Sequence, residues 1–299
     1  MTKTTSTKKK GIEIKRIEWF DDRCYRIRYD NDKKVEVEEF LPSVTTILGI
    51  SPKPFLLKWY GDLGYREARL RMFEAGERGS RIHWAWETAV SGGIVIYHPI
   101  KTPLYEETEI EELKKKHNNH YFILRDQGEM WDLMKLQKFY EAIKPEFKMC
   151  EETIFDLENK FAGTMDNLFL IKAGEYMING AKPVVLEEGL YIFDVKTGSS
   201  VSDEAKLQMA AYYKAIKSMI ANKFLASFRD LPEAEIKGAI IGHTNAQTKK
   251  GIEGFASIVI PAADLEVYYS RFQNLHRVWK DLNKDFTPKQ RQLVGYVTL

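Results

Sequence analysis

The apolar run Leu190-Tyr191-Ile192-Phe193 ends in Asp194-Val195-Lys196. A short run of this kind reads as a strand, and charges at its end limit what can surround it. Asp194 and Lys196 are two residues apart, so they share one face of that strand. Val195 points to the other face, into the sheet packing, while its carbonyl stays available as an oxygen ligand. Upstream, Phe161-Ala162-Gly163-Thr164-Met165-Asp166 puts a second carboxylate at the end of a neighbouring strand. The glycine in it lets another backbone or a ligand approach closely. Downstream, Gln208 and Tyr212 have the i,i+4 spacing of one helix face.

The surrounding pattern supplies an α/β frame. Ile12 to Val37 alternates weakly around Asp30-Asn31-Asp32 and predicts two or three strands of a hairpin or meander. Ser43 is a helix cap, and Pro52 and Pro54 break the helix it starts. Leu56 to Val90 is mostly helical in pattern, with interruptions expected near Gly76 and Gly79. Residues 91–127 give a poor signal, apart from a solvated helix face carrying Glu111/Lys115 and Glu112/Lys116. Met130, Leu133, Leu136, Tyr140 and Ile143 mark an amphipathic helix that ends at Pro145.

Strands are predicted around 152–157, 160–171 and 190–195, with a loop or small hairpin over 174–189. A helix follows from about 203 to 222, then strands at 236–242 and 254–260 joined by a polar loop. A last helix carries Leu265, Tyr268, Phe272, Leu275, Trp279 and Leu282. This order predicts a central mixed β-sheet flanked by helices, with an N-terminal β-hairpin and helical extension. Residues 1–10 read as a flexible basic tail. Residues 11–75 read as strands and helices packed on a main unit over 76–299, the whole forming one compact body.

Composition narrows the chemistry. A net charge of +2 gives no long-range pull on a polyanion, so contacts to nucleic acid require basic residues gathered locally. Two cysteines exclude a four-cysteine zinc site or iron–sulfur cluster within the chain, and they fit a reducing, cytoplasmic setting. No stretch approaches the ~18 apolar residues of a membrane span. Met1 to Lys10 lacks the apolar core of a secretory signal.

Two aspartates, a backbone carbonyl and waters make a hard, oxygen-rich setting suited to Mg²⁺ or Mn²⁺. Lys196 beside them suits holding or deprotonating a water and offsetting charge in a pentacoordinate state. Each signal has a plainer reading. Asp-x-Lys at a strand end is commonly an exposed ion pair, and Gly-x-x-Asp is commonly a turn. Gln208 reads either as a bridge to the lysine or a phosphate, or as a surface amide, and Tyr212 as a core residue. His83, in Gly79-Ser80-Arg81-Ile82-His83-Trp84-Ala85-Trp86, reads as a metal or phosphate ligand or as a hydrogen-bonded core histidine. Lys249 and Lys250 in the polar loop suit phosphate contacts, or belong to a simple solvated hairpin loop. Tyr60, Trp84 and Trp86 suit stacking on unpaired bases or simple core packing.

Taken in order, Gly79…His83, Glu151-Glu152-Thr153-Ile154, Gly163-Thr164-Met165-Asp166, Asp194-Val195-Lys196-Thr197 and Gln208…Tyr212 resemble the successive motifs of the RecB-like PD-(D/E)XK nucleases. Leu41-Pro42-Ser43-Val44-Thr45-Thr46-Ile47-Leu48, with Trp59 after it, resembles the mitochondrial genome maintenance exonuclease type and related phage exonucleases. The resemblance spans roughly residues 41 to 260. It implies a restriction-endonuclease-like core and Mg²⁺- or Mn²⁺-dependent cleavage of DNA. It implies metal ligands at His83, Asp166, Asp194 and the Val195 carbonyl, and a catalytic lysine at Lys196. It implies an acidic residue at Glu151, with Glu152 one register step away. The implied partner is DNA, single-stranded or with free ends, in recombination, repair or replication in a bacterial or phage-infected cell. A partner protein of that machinery is left open. The competing readings are a restriction-type endonuclease of the same superfamily and a non-catalytic DNA-binding recombination protein.

Overall fold

The computed structural model describes residues 6–9, 12–19, 22–30, 35–101, 103–179, 182–222, 235–246 and 254–284, together with 224 and 286. Four antiparallel strands open the chain in sequential order: β1 (Ser6–Lys9), β2 (Ile12–Trp19), β3 (Asp22–Asp30) and β4 (Glu36–Pro42). Period-two alternation turns Ile14, Tyr25, Ile27 and Leu41 into the core. The other face carries cross-strand ion pairs such as Arg26–Glu13 at 3.0 Å and Arg28–Glu38 at 3.1 Å. The expected tail is corrected at residues 6–9, whose backbone pairs with β2 as an edge strand.

Three helices follow. α1 (Val44–Leu48) starts at Ser43, whose side chain accepts a hydrogen bond from the Thr46 N–H at 2.9 Å. α2 (Pro54–Leu63) and α3 (Tyr65–Val90) are separated at Gly64, which has φ 78. The interruption expected near Gly76 and Gly79 is therefore misplaced, because α3 runs through both. A glycine inside a helix costs only about 1 kcal/mol and can be offset by packing, whereas the Gly64 backbone leaves helical space altogether.

β5 (Ile94–Tyr97) and β6 (Tyr121–Leu124) form a short parallel pair around α4 (Glu107–Lys116), which buries only Ile110. α5 (Gln127–Ile143) ends at Lys144, in the left-handed conformation before Pro145.

The central sheet is mixed. Its strands are β7 (Glu146–Asp156), β8 (Phe161–Ile171), β11 (Gly189–Lys196), β12 (Ile236–His243) and β13 (Ala256–Pro261), in the order β13-β12-β11-β8-β7. β11 and β12 are parallel and the other pairs antiparallel. A small hairpin, β9 (Gly174–Asn179) and β10 (Lys182–Leu186), lies between β8 and β11 in sequence.

α6 (Asp203–Asn222) connects β11 to β12, and α7 (Ala262–Leu282) follows β13. Leu190 and Ile192 pack with α1, α6, α7 and the N-terminal sheet. Tyr191, Phe193 and Val195 pack with α3 and α5. β11 is thus covered on both faces, which is why its sequence is continuously apolar. The same alternation brings Asp194 and Lys196 out on the α6 side, at the end of the strand. Among the described residues no helix is long and apolar enough to cross a membrane.

Candidate active site

Three elements converge where β11 ends beside the middle of β8: Asp166, expected at a strand end, lies five residues inside β8 from either end. α3 lies across both strands with Gly79 and His83 on one row, because residues four apart share a helix face. The approach is close at Gly79: a Cβ would come 3.2 Å from Thr197 Oγ1, directly after Lys196, and that hydroxyl would have to give by a few tenths of an ångström. One turn later His83 reaches both strands. Its Nε2 lies 3.0 Å from the Val195 carbonyl and its Nδ1 lies 3.2 Å from Asp166 Oδ2. The same Asp166 oxygen accepts the Val195 N–H at 3.0 Å.

Both partners of His83 are acceptors, so both ring nitrogens must donate and the ring is an imidazolium. Burial works against that charge, but the Asp166 carboxylate outweighs it, and the His83 pKa rises to about 9. Asp166 shows the reciprocal effect: burial opposes its ionisation, and His83 still holds its pKa below the usual value.

Glu151 completes this group. It lies in β7 with φ 48, between the pairs Cys150–Asn167 and Glu152–Met165, and so opposite Asp166. One donor atom each from His83, Glu151 and Asp166 lie within 4.8 Å of one another. Glu151 is exposed as a residue, but the protein crowding its carboxyl, then Asp166 and Glu87, lift it to about 7. Of the adjacent pair of acids, Glu151 is the one that enters the group.

Lys196 and its partners form a second group. Its ammonium lies 2.7 Å from Asp194 Oδ2 and donates to Gln208 Oε1 at 3.1 Å. Gln208 Nε2 in turn donates to the Tyr212 hydroxyl at 2.9 Å. Burial lowers the Lys196 pKa, but Asp194 and Asp166 more than restore it, so the lysine is charged. Burial also lifts Asp194 to about 6, against the pull of Lys196.

Tyr212 is buried and pressed on β8, where a Cβ at Gly163 would overlap its ring. Thr164 beside that glycine is hydrogen-bonded to the Tyr25 hydroxyl at 2.8 Å, which ties the N-terminal sheet to the site.

The sequence-predicted residues therefore divide. His83, Asp166, Glu151 and the Val195 carbonyl meet, while Asp194 pairs with Lys196 beside them and outside the three-residue group. Gln208 has its amide oxygen on the lysine and its nitrogen on Tyr212. That favours the bridge to the lysine over a phosphate contact. Trp86 is corrected: it is 3% exposed, donates from Nε1 to Asn167 Oδ1 at 2.7 Å and packs on Phe193, so no base can stack on it. Trp84 is exposed and lies near Phe122. Lys249 and Lys250 lie outside the described residues.

Sequence reasoning missed two ion pairs at the edge of the site. Arg81 binds Glu129 at 2.6 Å, and Arg78 binds Asp132. The signal was present as matched i,i+3 pairs of opposite charge on α3 and α5, but such spacing is common on solvated helices.

The donor set fits a hard divalent cation. It offers one imidazole, two carboxylates and a carbonyl. Asp194 Oδ2 lies buried beside this set, 2.7 Å from the Lys196 ammonium. No protein-family model matches the chain, and no curated protein matches it.

Proposed function

We propose that the protein is a metal-dependent deoxyribonuclease that hydrolyses phosphodiester bonds from free ends of single-stranded DNA. The observation that carries this reading is the meeting of His83, Glu151 and Asp166 beside the Val195 carbonyl, with a charged lysine on the next residue of the same strand. Those four groups would hold Mg²⁺ or Mn²⁺, with Asp194 adjoining. A cation there supplies Lewis acidity toward the phosphodiester and its attacking water.

The chain's own groups do the rest. Lys196, kept charged by Asp194, donates to a phosphate oxygen and offsets the charge gained as phosphorus becomes five-coordinate. Gln208 fixes the direction of the ammonium, and Tyr212 fixes Gln208. Glu151, whose carboxyl stands near 7 without a cation, would give up its proton as the cation binds.

The preference for a single strand rests on α2 and the first half of α3. Phe55, Tyr65 and Phe73 are 81%, 70% and 66% exposed there, interleaved with Lys58, Arg66 and Arg69. Flat rings stack on unpaired bases and cations neutralise phosphates. This surface rises from the helix that carries His83, so a strand lying along it would lead to the site. The biological setting, recombination, repair or replication, rests on the family resemblance alone.

The test compares linear single strands, closed single-stranded circles of equal sequence and linear duplex, each with Mg²⁺ or Mn²⁺ and with chelator. Metal-dependent digestion of the linear single strand is expected, with circles spared. Equal rates on circle and line would make the protein an endonuclease. Binding without cleavage in any metal would make it a non-catalytic DNA-binding protein.

A further inference from the structure

α3 is held very unevenly. Its 26 residues span about 39 Å, yet over 65–77 only Ala68 is buried. Apolar packing begins at Ile82 and continues through Ala85 and Trp86. His83 must reach its partners from the point where the helix leaves the body of the protein. Two arginines sit at that point. Arg81 places Nε and Nη2 at 2.9 and 2.6 Å from Glu129 Oε1, and Arg78 pairs with Asp132 Oδ2.

Both acids are on α5 and only 2% exposed. Asp132 also accepts from Lys135 Nζ at 2.9 Å, and Lys135 donates to the Thr244 carbonyl at 2.7 Å. The Thr244 N–H donates to the Lys196 carbonyl at 3.0 Å. The chain Arg78–Asp132–Lys135–Thr244–Lys196 therefore runs from α3 through α5 and the end of β12 to the end of β11. His83 and Gly79 close the circuit from α3 back to β11.

The geometry points to Arg78 and Arg81 as positioning residues that set α3 against α5, so that His83 meets Asp166 and the Val195 carbonyl without either arginine touching metal or DNA. This rests on the proposed metal-dependent reading. A metal site is sensitive to the groups that orient its ligands, and losing one typically costs about 10–100-fold in affinity or activity. Buried Ile82, Ala85 and Trp86 seat the second half of α3, and the two arginine pairs fix it at the turn before His83, where that packing gives out.

The experiment measures Mn²⁺ affinity by calorimetry, kcat and KM on linear single-stranded DNA, and melting temperature. Arg78→Ala is the first variant, because Asp132 keeps Lys135 as a partner. We expect Mn²⁺ binding weakened about 10-fold, kcat reduced by a similar factor and KM within twofold. Asp132→Asn, which also releases Lys135, should lose at least as much, the double variant should be no worse than Asp132→Asn, and Arg78→Lys should recover part of the loss.

Arg81→Ala leaves Glu129 buried and alone and invites unfolding, so Arg81→Met is combined with Glu129→Met to keep the packing. That folded double variant should also lose Mn²⁺ affinity. If the wild type binds no Mn²⁺, the metal reading falls and the clamp with it. If the wild type binds Mn²⁺ and the variants lose only melting temperature, the arginines are merely structural and the proposal is overturned. If Arg78→Ala raises KM and lowers the salt slope of DNA binding by about one, Arg78 contacts a phosphate directly, which also overturns it.

Discussion

The two halves of the candidate site are organised on opposite principles. His83 and Asp166 are held together by a charged contact, with Glu151 close beside them. His83 carries two N–H groups toward acceptors, and Glu151 is lifted to about 7. Any cation entering must displace protons from this half. Lys196, Gln208 and Tyr212 instead form a finished chain of hydrogen bonds that needs nothing added. One half is a place to be filled and the other is a tool already set. Asp194 stands between them, paired to the lysine, repelled by Asp166 and attracted by His83.

The sharpest way to break that contrast is to cross the halves. Lys196→Ala is expected to cut kcat by about 10²–10⁴-fold while leaving Mn²⁺ affinity within a few-fold. His83→Ala is expected to weaken Mn²⁺ binding by at least about 10-fold and to lose cleavage with it. Calorimetry and single-turnover rates on both variants decide the matter. Equal losses in both measurements for both variants would mean that the site is one unit. A His83→Ala protein that melts early yet keeps its activity would return His83 to the core.

Asp194→Asn sharpens the comparison by assigning the residue between the halves. A neutral amide is a poor partner for a hard cation and for a buried ammonium. We expect cleavage to fall as in Lys196→Ala, and Mn²⁺ affinity to fall as well, though by less than in His83→Ala. Unchanged Mn²⁺ affinity would assign Asp194 to the lysine alone.

The lysine half was written in the sequence more plainly than the metal half. Asp194 and Lys196 share a face because strands alternate, and Gln208 and Tyr212 share one because helices repeat near four; both follow from local spacing. The five strands and flanking helices were legible for the same reason. The partners of His83 were not, since a histidine between Ile82 and Trp86 is equally at home in a core. Only the crossing of α3 over β8 and β11 distinguishes them. Trp86, three residues on, did turn inward, which local pattern could not separate from His83. The Gly64 break was hidden because a glycine's backbone angle depends on what surrounds it. β5 and β6 were hidden because four residues are too few to show a period.

A smaller effect separates the halves by pH. His83 is raised from 6.5 to about 9, so its contribution to stability is full below 6.5 and is lost as pH rises through 9. Glu151, raised from 4.5 to about 7, and Asp194, raised from 3.8 to about 6, act in the same direction. The folded state holds protons that the unfolded chain releases. His276, lowered from 6.5 to about 4 by burial, works the other way below pH 6.5, so metal-free protein should lose stability most clearly from about pH 6.5 to 9. Mn²⁺ replaces those protons, so the rise in melting temperature it gives should be larger near pH 8.5 than near pH 6. A rise that does not change with pH would place the cation away from these groups.

The smallest expected effect lies at the far end of the lysine chain. Tyr212→Phe keeps the ring that fills the space beside Gly163 and removes only the hydroxyl that accepts from Gln208. Gln208 then keeps its bond to Lys196 but loses the one that fixes its own rotation, and its half-buried N–H loses that partner. Losing one such partner costs about 1–3 kcal/mol when the donor stays buried, and less if the amide turns toward water. We expect kcat to fall about 3–10-fold, with Mn²⁺ affinity unchanged because no group of the metal half touches the hydroxyl. The measurement is a KM-against-kcat split at saturating Mn²⁺, with Mn²⁺ calorimetry alongside. A loss as large as that of Lys196→Ala would make the hydroxyl a direct participant in the reaction. A loss of Mn²⁺ affinity would show that the two halves are coupled through α6, and the contrast between them would no longer hold.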